Sequence, residues 1–195
     1  MNNSRLMERL VAEIRECKLC RLWEGRTNAV PGSGIIGNPD VVFVGEGPGK
    51  KEDLVGKPFV GRAGKLLDEL LANAGLKRDE VYITNIVKCR PPKNRKPKPE
   101  EVQTCTSLYL EKQLQILKPK LVCTLGATAL EYFTGETKMG ENHGKVQRGK
   151  KTEIPVLPTY HPAFIFRNRA LKEVLQEDLN KIPGIVHSLK NEKSN

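Results

Sequence analysis

The sequence predicts a three-layer α/β/α domain around a central, mainly parallel four-stranded sheet, and three observations predict it. Four apolar runs are strand-length and lack strict alternation, as in strands buried on both faces. Helix-period segments separate them, which favours parallel pairing through crossovers. Each run stops at a residue suited to a turn: a glycine, an asparagine or a proline.

In chain order, Ser4 is expected to cap a first helix with Leu6, Leu10 and Ile14 on one face. Val41-Val42-Phe43-Val44 is the first strand. A helix follows Gly61-Arg62-Ala63-Gly64, turning Leu66, Leu67, Leu70 and Leu71 inward and ending before Gly75. Val81–Thr84 is the second strand. Pro99 opens a long helix to about Leu117, and Leu121–Leu125 is the third strand, followed by a helix over Ala127–Phe133. Ile154–Leu157 is the fourth strand, moved toward an edge by Pro155. The last helix spans about Leu171 to Ile182. Residues 1–195 read as one domain, with the tail from about residue 190 expected to be disordered.

The chain has 33 Lys and Arg against 23 Asp and Glu, a formal charge of +10. This surplus suits a polyanion, through release of condensed counterions, although it also serves solubility. Aromatic residues are only 5%, which argues against a sheet paved with base-stacking rings. No run reaches membrane-span length and Met1–Arg15 has no apolar signal core, so a cytoplasmic, nucleoid-associated protein is expected in a prokaryote. Arg90–Pro99 is proline-rich and holds five cationic residues; it reads as an exposed loop, with Lys93, Arg95 and Lys96 as phosphate contacts.

In open parallel sheets, ligands bind beyond the carboxyl ends of the strands. Those ends carry Gly45-Glu46-Gly47-Pro48-Gly49, Asn85, Gly126 and Thr159-Tyr160-His161-Pro162, so a carboxylate, an amide and an imidazole converge on one rim. Dinucleotide binding is excluded by Lys50 at the third glycine position and by Pro48, which removes a cradle amide. A Walker loop is excluded by Leu66 after Gly61-Arg62-Ala63-Gly64-Lys65.

Five cysteines are present. Cys123 lies mid-strand and reads as a small core hydrophobe. Cys17-Lys18-Leu19-Cys20, Cys89 and Cys105 are four candidate metal ligands. Spacing leaves zinc and an iron–sulfur cluster both open.

Gly45–Gly49, Gly56-Lys57-Pro58-Phe59-Val60-Gly61-Arg62-Ala63-Gly64, Ile83-Thr84-Asn85-Ile86-Val87-Lys88-Cys89-Arg90-Pro91-Pro92 and His161-Pro162-Ala163 together resemble the family 4, thermostable iron–sulfur uracil-DNA glycosylases. The resemblance runs from about Cys17 to Asn180. It implies a uracil-DNA glycosylase-like fold, hydrolysis of the uracil–deoxyribose bond in single- or double-stranded DNA, base excision repair and a monomer. It also implies a structural [4Fe–4S] cluster on Cys17, Cys20, Cys89 and Cys105. By the same resemblance His161 and Glu46 are catalytic, with Glu46 acting on water or on the sugar cation. Gly47, Phe59, Asn85 and Glu52 line the uracil site, Glu52 where a thymine methyl would clash. Phe164 and Arg167 belong to the segment that enters the minor groove. The contrasting expectation is an iron–sulfur protein of the same fold that binds nucleic acid without cleaving it. A branch that traps uracil-DNA through a histidine in an inserted loop is disfavoured, because residues 89–105 contain none.

Overall fold

The computed structural model describes residues 2–192. Its sheet has six strands in the order β1-β3-β2-β4-β6-β5. The parallel centre is β3 (Tyr82–Asn85), β2 (Val41–Gly45), β4 (Leu121–Leu125) and β6 (Pro155–Thr159). These are the strands expected from the apolar runs, shifted by one or two residues. Two antiparallel strands of two residues each, β1 (Ser33–Gly34) and β5 (Gln147–Arg148), cover the outer edges. They were not expected, since two polar or glycine residues show no periodicity. Chemically they satisfy backbone groups of β3 and β6 that would otherwise invite another chain.

Because side chains alternate across a strand, β2 divides its residues between two cores. Val42 and Val44 face a layer with α1 (Asn3–Glu16) and the helix over residues 99–117. Val41 and Phe43 face a layer with α3 (Arg62–Asn73), α8 (Leu171–Asn180) and α9 (Ile182–Glu192). Cys123 is fully buried in the second core, as expected of a small hydrophobe. The cap of α1 is Asn2, two residues before the expected Ser4: its side chain accepts from the Ser4 amide at 3.1 Å, and Ser4 itself lies inside the first turn.

The long helix is α4 (Pro99–Cys105) and α5 (Glu111–Leu117), joined without a break through a π turn at Thr106–Leu110. Short helices α2 (Lys50–Val55), α6 (Ala127–Thr134) and α7 (Met139–Asn142) complete the chain. At the C-terminus α9 continues to Glu192, and Lys190 pairs with Asp40 at 2.7 Å. Disorder from about residue 190 is therefore not seen for 190–192; residues 193–195 lie outside the described residues. Among the described residues no helix is long and apolar enough to cross a membrane.

Candidate active site and cysteine cradle

The carboxyl ends of β2, β3, β4 and β6 open into one cavity of about 510 Å³. Glu46, Gly47, Glu52, Phe59, Asn85 and His161, all singled out from sequence, line it. The close fit begins at Gly45: a Cβ there would stand 2.5 Å from Asn85 Oδ1 and 2.8 Å from Phe59 Cζ. Only a hydrogen at this position lets the strand end, the amide and the ring share one wall.

Phe59 has a left-handed backbone, φ 50°, and is 6% exposed. Such a conformation costs energy in a bulky residue and persists where the surroundings impose it. The surroundings are identifiable. Glu52 Oε1 accepts from the amides of Val60 and Gly61 at 2.9 and 2.7 Å, and Gly64 in α3 packs directly against the Phe59 carbonyl. A Cβ on Gly64 would fall 1.8 Å from that oxygen. Gly64→Ala is accordingly expected to destabilise the domain by about 2–4 kcal/mol and lower the melting temperature by about 5–15 °C. Differential scanning calorimetry measures this; an unchanged midpoint would mean the Phe59 turn is not held from below.

Glu52 was expected to meet a thymine methyl. It does border the cavity, but its Oε1 is engaged by the 60–61 amides, so its evident work is to hold the Phe59 turn.

Asn85 is 1% exposed, and its Oδ1 has no hydrogen-bond partner. An unsatisfied buried amide oxygen costs about 1–3 kcal/mol, a cost tolerated chiefly at functional positions. His161 lies 5.5 Å from Phe59, ring centre to ring centre. Its Nδ1 accepts from the Ala163 amide at 3.1 Å. Burial lowers its pKa from 6.5 to about 4, with Glu52 opposing the shift. The imidazole is therefore neutral at pH 7, and with Nδ1 used as acceptor its proton resides on Nε2. Glu46 Oε2 accepts from Thr128 Oγ1 at 2.5 Å. Thr128 was missed from sequence, although it stands two residues beyond the rim residue Gly126, at the start of α6.

The basic loop differs from the expectation in its details. Arg95 makes a bidentate pair with Glu101, at 2.8 and 2.7 Å, and Glu101 also accepts from the Lys98 amide. Lys96 pairs with Glu131 at 2.9 Å. Arg95 thus braces the loop against the start of α4 and Lys96 ties it to α6, both while bordering the cavity; Lys93 stands exposed with φ 53°. Across the mouth, Pro162–Phe166 forms a 3-10 turn. Phe164 is 53% exposed and, with Arg167, borders the cavity. Phe166 is covered by the Arg62 guanidinium, 4.0 Å from its ring centre.

Cys17, Cys20, Cys89 and Cys105 gather between the end of α1, the loop after β3 and the end of α4, where they interact electrostatically. Two of the sulfurs meet a donor: Arg26 Nη1 donates to Cys89 at 3.0 Å and the Lys88 amide to Cys105 at 3.3 Å. Burial raises the thiols of Cys20 and Cys89 and pushes Cys105 up to about 12. These groups keep their protons at pH 7 unless a metal displaces them. Among the described residues no three His, Cys, Asp or Glu side chains close around a single metal ion. Beside the cradle lies Lys88, fully buried, its pKa lowered by burial to about 7 against the opposing pull of Cys105 and Cys89.

A parallel sheet whose strand ends carry a tight glycine turn, an orphan amide oxygen and a neutral imidazole around one cavity defines a pocket of the uracil-DNA glycosylase class. The family model of the Uracil DNA glycosylase superfamily matches residues 31–182. A type-4 uracil-DNA glycosylase of Sulfurisphaera tokodaii is 47% identical over 90% of this chain and 83% of its own length. One of Thermotoga maritima is 44% identical over 93% and 95%. A type-5 uracil-DNA glycosylase of Thermus thermophilus is 31% identical over 79% and 85%. The chain belongs to the type-4 uracil-DNA glycosylase family.

Proposed function

We infer that the protein is a uracil-DNA glycosylase that hydrolyses the bond between uracil N1 and deoxyribose C1′ in DNA, initiating base excision repair. The observation that carries this reading is the unpartnered Oδ1 of Asn85 in a cavity shared with a neutral His161.

Inside a duplex the bond is unreachable, so the nucleotide leaves the stack and the base enters the cavity. The Phe59 ring covers one face of the pyrimidine. Asn85 Oδ1 accepts from uracil N3–H while its amide nitrogen donates to O4; cytosine offers the reverse pattern and is refused. As the C1′–N1 bond breaks, its electron pair departs with the base. His161 Nε2–H, aimed at O2, stabilises the resulting anion without losing its proton. A water oxygen then bonds to C1′. Glu46, fixed by Thr128, orients that water, carries its proton toward solvent and offsets the positive charge on the sugar. Phe164, exposed where Phe166 is pinned by Arg62, fills the gap left in the stack. Lys93 and Arg167 contact phosphates; Arg95 and Lys96 chiefly shape the loop that presents them.

Cys17, Cys20, Cys89 and Cys105 hold a [4Fe–4S] cluster. Four cysteines brought together from three parts of the chain, two of them with a hydrogen-bond donor from Arg26 and from the Lys88 amide, support an anionic cluster there. The cluster supplies a rigid joint between the first helix and the basic loop, and no proton or electron transfer in the reaction is asked of it. The protein acts as a monomer, on single- or double-stranded DNA.

The test is incubation of purified, iron-assayed protein with matched oligonucleotides containing uracil, thymine or hypoxanthine. Free uracil is expected from the first substrate only, together with about four irons per chain. Binding of uracil-DNA without release of the base would instead identify a nucleic-acid-binding protein of the same fold.

A further inference from the structure

We propose that Arg78, which does not border the cavity, is a positioning residue for Phe59: bridged to Asp68, it fixes the peptide before the ring and so sets the plane on which the pyrimidine rests. This rests on the reading above, in which Phe59 covers one face of uracil.

The direction of the Phe59 ring is set by the two peptides that flank its Cα. The peptide after it is held from within the fold, by Glu52 Oε1 on the Val60 amide and by Gly64 packed against the Phe59 carbonyl. Those contacts govern ψ. The peptide before it carries the Pro58 carbonyl, which accepts from Arg78 Nη2 at 2.6 Å. That bond governs φ, the angle that stands at 50° in the left-handed region. A phenylalanine released on that side has lower-energy backbone conformations to relax into. Rotating φ out of the left-handed region swings the ring off the wall it shares with Asn85.

Arg78 suits this task through its shape. Its planar fork offers separate nitrogens, and the second, Nη1, donates to Asp68 Oδ1 at 2.5 Å. Asp68 lies one helical turn beyond Gly64 in α3, so the helix face that supports the Phe59 carbonyl also orients the guanidinium. The chain reaches Arg78 soon after α3 ends, on the way to β3, so the bridge ties this connection back to the Phe59 turn, with 20 residues between Pro58 and Arg78. The pair is partly exposed, 30% for the arginine side chain and 45% for the aspartate. As an ion pair alone it would contribute little. What distinguishes it is the acceptor on the other nitrogen, a backbone carbonyl next to a strained residue in the cavity wall.

The experiment is a double-mutant cycle on cluster-loaded protein: wild type, Arg78→Ala, Phe59→Ala and the two together. It measures kcat/KM for release from a uracil-containing oligonucleotide and the inhibition constant of free uracil, a ligand with no phosphate. Phe59→Ala is expected to weaken both by about tenfold to a hundredfold, the range for one lost base–aromatic stack. Arg78→Ala should weaken both by about fivefold to twentyfold, the size of one hydrogen bond from a charged group passed on in part to the ring. Beside Phe59→Ala, the same change should alter neither value by more than about twofold. An arginine that merely stabilises the fold would leave the uracil constant of the folded protein unmoved, and one that contacts a phosphate would lower kcat/KM alone. Either result overturns the inference, as does a loss that persists at full size beside Phe59→Ala. Wild-type values in Phe59→Ala itself would overturn the stacking reading, and wild-type protein that frees no uracil would overturn the proposed activity; the inference falls with each. Should Arg78→Ala fail to fold, Asp68→Asn replaces it in the cycle: a loss in both values that vanishes beside Phe59→Ala supports the inference, and no loss or a persistent one overturns it.

Discussion

Replacement of His161 by alanine is expected to slow uracil release by about two to three orders of magnitude, the range found when one donor to a developing anion is removed. The melting temperature should stay within a few degrees of wild type, because the ring borders a cavity and its Nδ1 is bonded to the Ala163 amide, only two residues on. The wild-type pH profile carries the sharper expectation. Folding holds the His161 pKa at about 4, below the ordinary 6.5. As pH falls, the unfolded chain therefore takes up this proton before the folded chain does. The contribution to stability is full above pH 6.5 and is lost as pH falls toward 4. Within the folded enzyme the imidazole stays neutral through that window. Single-turnover release should thus show no loss attributable to His161 between pH 8 and about 5, then decline toward pH 4. A midpoint near 6.5 that disappears in His161→Ala would show that the imidazole is not held neutral, and the anion would then be met by an imidazolium.

Asn85→Ala is expected to reduce kcat/KM for uracil by about thirtyfold to a thousandfold, from two hydrogen bonds to a dehydrated base edge at about 1–2 kcal/mol each. The folded state should be little harmed and could gain slightly, since the substitution removes a buried oxygen that has no partner. This combination of lost activity and retained or raised melting temperature separates a recognition residue from a turn residue. If activity and stability fell together, Asn85 would be closing the end of β3 and nothing more. Steady-state release kinetics and calorimetry on the same preparation make the distinction.

The rim was legible in the sequence because it follows from topology. Once Val41–Val44, Val81–Thr84, Leu121–Leu125 and Ile154–Leu157 read as parallel strands, the residues after them had to share one side of the sheet. Asn85 and His161 then stood out as polar groups where the chain leaves the core. Thr128 did not, because a threonine in the first turn of a helix has an ordinary explanation in the helix itself. The internal pairing of the basic loop was not legible. Arg95 and Glu101 are six residues apart, a spacing that pairs side chains on neither a helix nor a strand. Only the turn into α4 brings them to 2.7 Å and removes the arginine from the free cations. The cysteines were legible as donors but not as a particular site. Spacing identifies which sulfurs can meet; the hydrogen bonds to Cys89 and Cys105 come from Arg26 and Lys88, each far along the chain from the sulfur it meets.

The π turn at Thr106–Leu110 was equally invisible, and it limits how this enzyme can change. One residue more than an α-helix would hold brings Cys105 and Leu110, five positions apart, into the same buried layer. Keeping every residue but winding this turn as regular α-helix would swing everything on one side of it by about 100° relative to the other. Either Cys105 would leave the sulfurs or Leu114 and Leu117 would leave the core. A stabilisation programme that idealises this helix would be removing the joint between two machines that happen to share one axle.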